Sequence, residues 1–323
     1  MAEVLLDVKN LVTNFYTRRG VVHAVRDVSY QVHRGEMVGI VGESGSGKSV
    51  SAFSVLGLVK KPGKIESGQV IFKGKDLRTL SPKELLAYRG RYMSMIFQEP
   101  LSALNPAYTV GWQIAEAFRN NGMTDKKEIE ERVVEMLAKV KLPDPARRAK
   151  EFSYQFSGGM RQRALIAMAL ASNPELVFAD EPTTALDVTV QADILDLIGE
   201  LQQDMGMAVV LVSHNLNLVG ERCQRILVMY AGQIVEEAPS MDLFADPRHP
   251  YTKCLLKSLP GNSEGQNFFV IPGEIRNALD NTKGCAFANR CYRAEAKCFE
   301  EEPEMVQLSE NRCARCHFCK EGI

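Results

Sequence analysis

Gly42-Glu43-Ser44-Gly45-Ser46-Gly47-Lys48-Ser49 is the stretch on which the reading of this chain turns. It matches G-x-x-x-x-G-K-[ST] at every position. The apolar run Met37 to Val41 leads into it, and a helix is expected from Ser49 through Val50, Phe53, Ser54 and Leu56. Strand, glycine loop and helix make the first unit of an α/β nucleotide fold. The glycines let successive main-chain N–H groups turn inward around a phosphate chain, at the positive end of the following helix. Gly42, Ser44, Gly45, Ser46 and Gly47 are therefore candidate nucleotide-binding positions. Lys48 would bridge the β- and γ-phosphates, and Ser49 would ligate Mg²⁺. A chance glycine-rich turn is the rival reading, and the strand and helix on either side count against it.

A second element lies downstream. Leu176 to Ala179 is an apolar run of the kind found in strands covered on both faces, and it ends in Asp180-Glu181. Alone such an ending is ordinary. After a phosphate loop it reads as one carboxylate for Mg²⁺ and one, Glu181, to orient or deprotonate the attacking water. Ala208 to Val212 is another buried-strand run, and Val28 to Val32 alternates like a half-buried strand. Ser67 to Leu77 reads as a strand pair turning at Lys73-Gly74. Ile226 to Tyr230 and Gln233 to Ala238 read as a hairpin. From Thr109 to Val140 the spacing of Val133, Val134, Met136, Leu137 and Val140 is helical, as is Ala164 to Ala171.

Phe156-Ser157-Gly158-Gly159-Met160-Arg161-Gln162 closely resembles the signature sequence of ATP-binding-cassette ATPases. Read without that resemblance, Ser157 is a helix N-cap. The resemblance implies a P-loop NTPase cassette of class α/β, spanning residues 4 to about 238. Its parts are a RecA-like parallel-sheet core, an antiparallel β layer and a helical subdomain near 99–160. It further implies that Ser157 meets the γ-phosphate of ATP held by a second ATPase subunit, a related but different chain. Gln98, after Met95-Ile96-Phe97, resembles the loop glutamine that senses Mg²⁺ or water. Ala185-Leu186-Asp187 resembles the loop that crosses the dimer interface. His214, ending Val210-Leu211-Val212-Ser213, resembles the γ-phosphate histidine, although an isolated histidine at a strand end is usually structural. For adenine stacking Phe15 is the choice by its offset from Leu11, with Tyr16 its rival. The catalytic set on this reading is Glu181, His214, Gln98 and Lys48, and the reaction is hydrolysis of ATP.

Composition sets the outer bounds. Thirty-nine Lys and Arg against 40 Asp and Glu leave a net charge of −1, which gives no overall pull toward nucleic acid or anionic lipid. No run approaches the roughly 20 apolar residues that span a bilayer. Glu3, Asp7 and Lys9 break up the N-terminus, which does not read as a signal peptide. The chain is thus expected at the cytoplasmic face, peripheral to the membrane, reaching it through other subunits.

Past residue 238 the character changes, with prolines at 239, 247, 250, 260 and 272, and residues 239–323 are expected to form a separate C-terminal extension. Asp246-Pro247-Arg248-His249-Pro250-Tyr251-Thr252 and the spacing of Cys285, Cys291, Cys298 and Cys316-His317 resemble the oligopeptide/dipeptide importer branch. That resemblance implies two transmembrane permease subunits and, indirectly, an extracytoplasmic peptide-binding protein. A nickel or other small-solute importer of the same branch is the alternative, and a redox- or metal-sensing soluble cassette the alternative of another class.

Six of the eight cysteines crowd into residues 285–319, while Cys223 and Cys254 read as buried small hydrophobes. The spacing C-x₅-C-x₆-C-x₁₇-C lacks the short pairs usual at zinc sites and suits a cluster wrapped by a longer loop. The branch resemblance implies a [4Fe–4S] cluster at Cys285, Cys291, Cys298 and Cys316, with zinc or metal-free thiols as alternatives. Cys313 and Cys319 compete with Cys316 as fourth ligand. Cys313-Ala314-Arg315-Cys316-His317 also fits covalent haem attachment, which a chain without an export signal does not receive.

Overall fold

The computed structural model describes residues 3–184, 186–259, 269–274, 279 and 283–321. Ala185 and Pro260 lie outside the described residues. The strands in chain order are β1 (Val4–Thr17), β2 (Gly20–His33), β3 (Met37–Val41), β4 (Gly63–Phe72), β5 (Lys75–Asp76), β6 (Met93–Ile96), β7 (Leu176–Asp180), β8 (Ala208–Ser213), β9 (Arg225–Tyr230), β10 (Gln233–Pro239), β11 (Val306–Ser309) and β12 (Arg312–Ala314). Two compact units share them, one built mainly on residues 79–210, the other on 4–32, 37–78 and the chain from 211 onward.

In the second unit, β2, β1, β4 and β5 form a four-stranded sheet, with β1 and β4 antiparallel. This is the expected antiparallel layer. β3 lies parallel to β9, and every residue of β3 is buried. Gly39 is needed there because a Cβ would lie 2.0 Å from Val219, with the Cys223 sulfur next to it. Cys223 and Cys254 are both buried, as small hydrophobes would be. β9 turns at Ala231-Gly232 into antiparallel β10, the expected hairpin.

The tail adds what sequence reading does not foresee. β12 pairs antiparallel with β10, Glu236 opposite Ala314 and Glu237 opposite Cys313, and β11 pairs with β12. These strands of three and four residues are too short to carry a period, and their partner lies far away in sequence. Residues past 239 are thus stitched onto the hairpin that precedes them.

In the first unit β6 and β7 run parallel, and all of β7 is buried. The helical stretch expected over 109–140 is two helices, Val110–Asn120 and Lys126–Lys139. Gly122 at φ +92° turns the chain between them, and Asp125 caps the second by accepting the Glu128 N–H at 2.8 Å. Ile129, Val133, Met136 and Leu137 form its buried face. Among the described residues no helix is long and apolar enough to cross a membrane.

Candidate functional site

The phosphate loop lies between β3 and the helix Lys48–Val55. Gly47 has φ +99°, and a Cβ there would stand 2.3 Å from the Ala24 carbonyl oxygen, so only glycine fits. The Lys48 ammonium is buried and donates to the carbonyls of Gly42 at 2.8 Å and Glu43 at 3.0 Å. Ser46 is 1% exposed, and among the described residues its hydroxyl finds no hydrogen-bond partner. A buried hydroxyl without a partner is costly, and a phosphate oxygen would satisfy it. The loop therefore fits a phosphate chain on an observation separate from its motif. Ser44 and Gly45 are exposed on the loop.

Phe15 and Tyr16 are neighbours on β1 and so point to opposite faces. Phe15 is half-buried and faces Gly63, where a Cβ would meet its ring at 2.7 Å. Tyr16 is 49% exposed, and its hydroxyl donates to Glu66 at 2.6 Å. His214 follows β8 on an exposed turn, beside Asn215, which caps the next helix through the Leu218 N–H.

In the first unit Asp180 ends β7 and is 2% exposed, while Glu181 turns out of the strand at φ +44°. Its Oε2 accepts a hydrogen bond from the Gln98 amide at 3.0 Å and another from the Thr184 hydroxyl at 2.9 Å. Gln98 and Glu181, read separately in the sequence, thus meet. Thr184 went unread; its only local signal is its position three residues after Glu181. Positive φ in a non-glycine residue stores strain, and such strain gathers at functional sites.

Ser157 caps the helix Gly158–Leu170 by accepting the Met160 N–H at 3.3 Å, as the N-cap reading expects. Ser157 and Gly158 are exposed. Asp187 caps the helix Val188–Met205 through the Val190 N–H, and the Leu186 carbonyl accepts from Gln191.

In the tail, Cys285, Cys291, Cys298 and Cys316 line one cavity together with Phe287 and His317. Cys313 and Cys319 do not line it. Burial pushes the thiols of Cys285, Cys291 and Cys316 up to about 11. Among the described residues no three His, Cys, Asp or Glu side chains are gathered tightly enough to hold a single metal ion. Zinc, which draws its ligands to within about 2.3 Å of one centre, is not matched by this arrangement.

Sequence comparison decides the family. A probable peptide ABC transporter ATP-binding protein of Sinorhizobium fredii is 48% identical over 325 residues, covering 100% of this chain and 97% of its own. The chain belongs to the ABC transporter family. The family's own sequence profile matches residues 25–184, and that of the oligopeptide/dipeptide transporter C-terminal region matches residues 235–298. The dipeptide transport ATP-binding protein DppD of Escherichia coli is 45% identical over 315 residues, 97% of this chain and 96% of that one. Among solved structures, a dimeric ATP-binding cassette in a post-hydrolysis state bound to ADP and Pi aligns with a TM-score of 0.65 at 30% identity, over 73% of this chain and 98% of that one. The fold is therefore that of an ABC cassette, and the chain is an ATPase of that family.

Proposed function

We propose that this ABC chain is the ATP-hydrolysing subunit that powers import of di- and oligopeptides through two transmembrane permease subunits. The observation that carries the hydrolytic half is the fixed carboxylate of Glu181, held by Gln98 and Thr184 immediately after the buried Asp180. A carboxylate held in one orientation can accept a proton from water without first having to be positioned. Lys48 and the loop residues Gly42, Ser44, Gly45, Ser46 and Gly47 bind the phosphates. Ser49 and Asp180 hold Mg²⁺, and His214 meets the γ-phosphate. Ser157 completes the site of a second, related ATPase subunit. Phe15 stacks on adenine, supported by its offset from Leu11, and exposed Tyr16 is the alternative.

The peptide assignment is supported by relatives named for peptide and dipeptide transport that match over nearly the whole chain. On the same reading the cassette occupies 1–238, with its helical subdomain near 99–160, and the extension occupies 239–323. The protein works at the cytoplasmic face, fed indirectly by an extracytoplasmic peptide-binding protein.

Cys285, Cys291, Cys298 and Cys316 would hold a [4Fe–4S] cluster, supported by their shared cavity. Bound there, the cluster supplies a cross-link between distant parts of the tail. Burial holds the thiols of Cys285, Cys291 and Cys316 protonated at neutral pH, so loading would release protons and be favoured as pH rises.

The test is peptide uptake in cells carrying Glu181→Gln in place of the unaltered chain. Uptake should fall with turnover by about 10²-fold or more, the usual worth of general base catalysis, while nucleotide binding persists. Normal uptake with Glu181→Gln would refute the catalytic assignment. Unchanged uptake in cells lacking the chain would refute the substrate.

A further inference from the structure

The phosphate loop is fastened from outside by the C-terminal segment. Arg290 stands in the turn Ala288–Arg290, between Cys285 and Cys291, with its side chain 4% exposed. Its guanidinium makes a two-pronged pair with Glu43, Nη1 to Oε2 at 2.7 Å and Nη2 to Oε1 at 3.0 Å. Nε donates to the Pro272 carbonyl at 3.0 Å, so the fork is anchored within the tail as well. Tyr251, also from the tail, accepts the Glu43 N–H on its hydroxyl at 2.9 Å. The Tyr251 ring packs with those of Tyr230 and Phe287, centroids 4.6 and 5.3 Å away. Glu43 is thereby held by both backbone and side chain, and its carbonyl is one of those that receive Lys48.

We propose that Arg290 is a positioning residue for nucleotide binding, reaching from the tail to fix the phosphate loop and to neutralise the Glu43 carboxylate beside the polyphosphate. Two physical effects follow from one contact. A loop already fixed loses less freedom when it binds. A carboxylate left unpaired on a phosphate-binding loop repels the ligand the loop exists to hold, and removing Arg290 from this half-buried pair leaves that charge uncompensated. The bidentate fork is specific to arginine, since lysine offers a single point charge.

This inference goes beyond the proposed function but rests on its nucleotide reading. That reading fails separately if the unaltered chain shows no affinity for Mg²⁺–nucleotide. The experiment measures equilibrium affinity of the full chain for Mg²⁺–ADP and a non-hydrolysable ATP analogue, alongside its melting temperature. Arg290→Ala should bind about tenfold more weakly, with Arg290→Lys intermediate. Adding Glu43→Gln to Arg290→Ala should restore most of the loss, because the unpaired charge is gone. Should Arg290→Ala not fold, Arg290→Gln, which stays polar but carries no charge, should show the same loss and the same rescue. A folded Arg290 variant with unaltered affinity would overturn the proposal. So would a double variant as weak as the single one, which would mean that Arg290 acts through packing alone.

Discussion

Ser46 and Glu181 make opposite predictions about stability and function. The Ser46 hydroxyl is buried without a partner, so Ser46→Ala removes a group that already costs the fold something. Thermal unfolding should show Ser46→Ala unchanged or up to about 1 kcal/mol more stable, while its nucleotide affinity falls. Lower stability with full affinity would show that the hydroxyl serves the fold. Glu181→Gln keeps its neighbours' bonds possible and loses only the base. At this scale the motif residues were legible because each motif is contiguous and its chemistry depends on a few side chains in order. Arg290 and Tyr251 were not legible as loop contacts, since 247 and 208 residues separate them from Glu43. The choice among Cys313, Cys316 and Cys319 depended on which sulfur faces the cavity, and no spacing encodes that.

Helix ends carry the next set of consequences. Ser157 caps Gly158–Leu170, so Ser157→Ala should cost about 1 kcal/mol of stability by denaturant unfolding. Its ATPase loss should far exceed what that small change implies, and should appear only where two cassettes assemble. His249 caps Pro250–Lys257 by accepting the Tyr251 N–H at 3.0 Å, and burial lowers its imidazole to about 3. The unfolded chain takes up that proton near 6.5 and the folded chain does not, so the stability is present above 6.5 and drains away as pH falls. Against His249→Asn, which caps without titrating, the unaltered chain should lose about 2 kcal/mol more on going from neutral pH to 5. Equal loss in both would contradict a buried neutral imidazole. Glu236, whose carboxylate accepts the Arg248 and His249 N–H groups, is common to both chains and cancels. Long apolar runs such as β3, β7 and β9 were legible by period and composition, and the helix break at Gly122 and the strands of the tail were not.

Taken whole, the chain joins a cassette whose chemistry is local to a tail whose chemistry is long-range. If four tail sulfurs hold an iron–sulfur cluster, protein purified without oxygen should be brown and contain iron and sulfide. Cys285→Ser should bleach it, while Cys313→Ser and Cys319→Ser should stay coloured. Colourless, iron-free protein would remove the cluster from the account and leave the cassette intact. Everything proposed for the cassette depends on main-chain amides around Lys48 holding the phosphates of ATP. Equilibrium binding of nucleotide with magnesium present, on the unaltered chain and on Lys48→Ala, tests it most directly. Binding should be saturable, and Lys48→Ala should weaken it by about tenfold or more, the effect of losing a charge-assisted bond to phosphate. A well-folded chain with no measurable affinity, or one indifferent to the loss of Lys48, would contradict it.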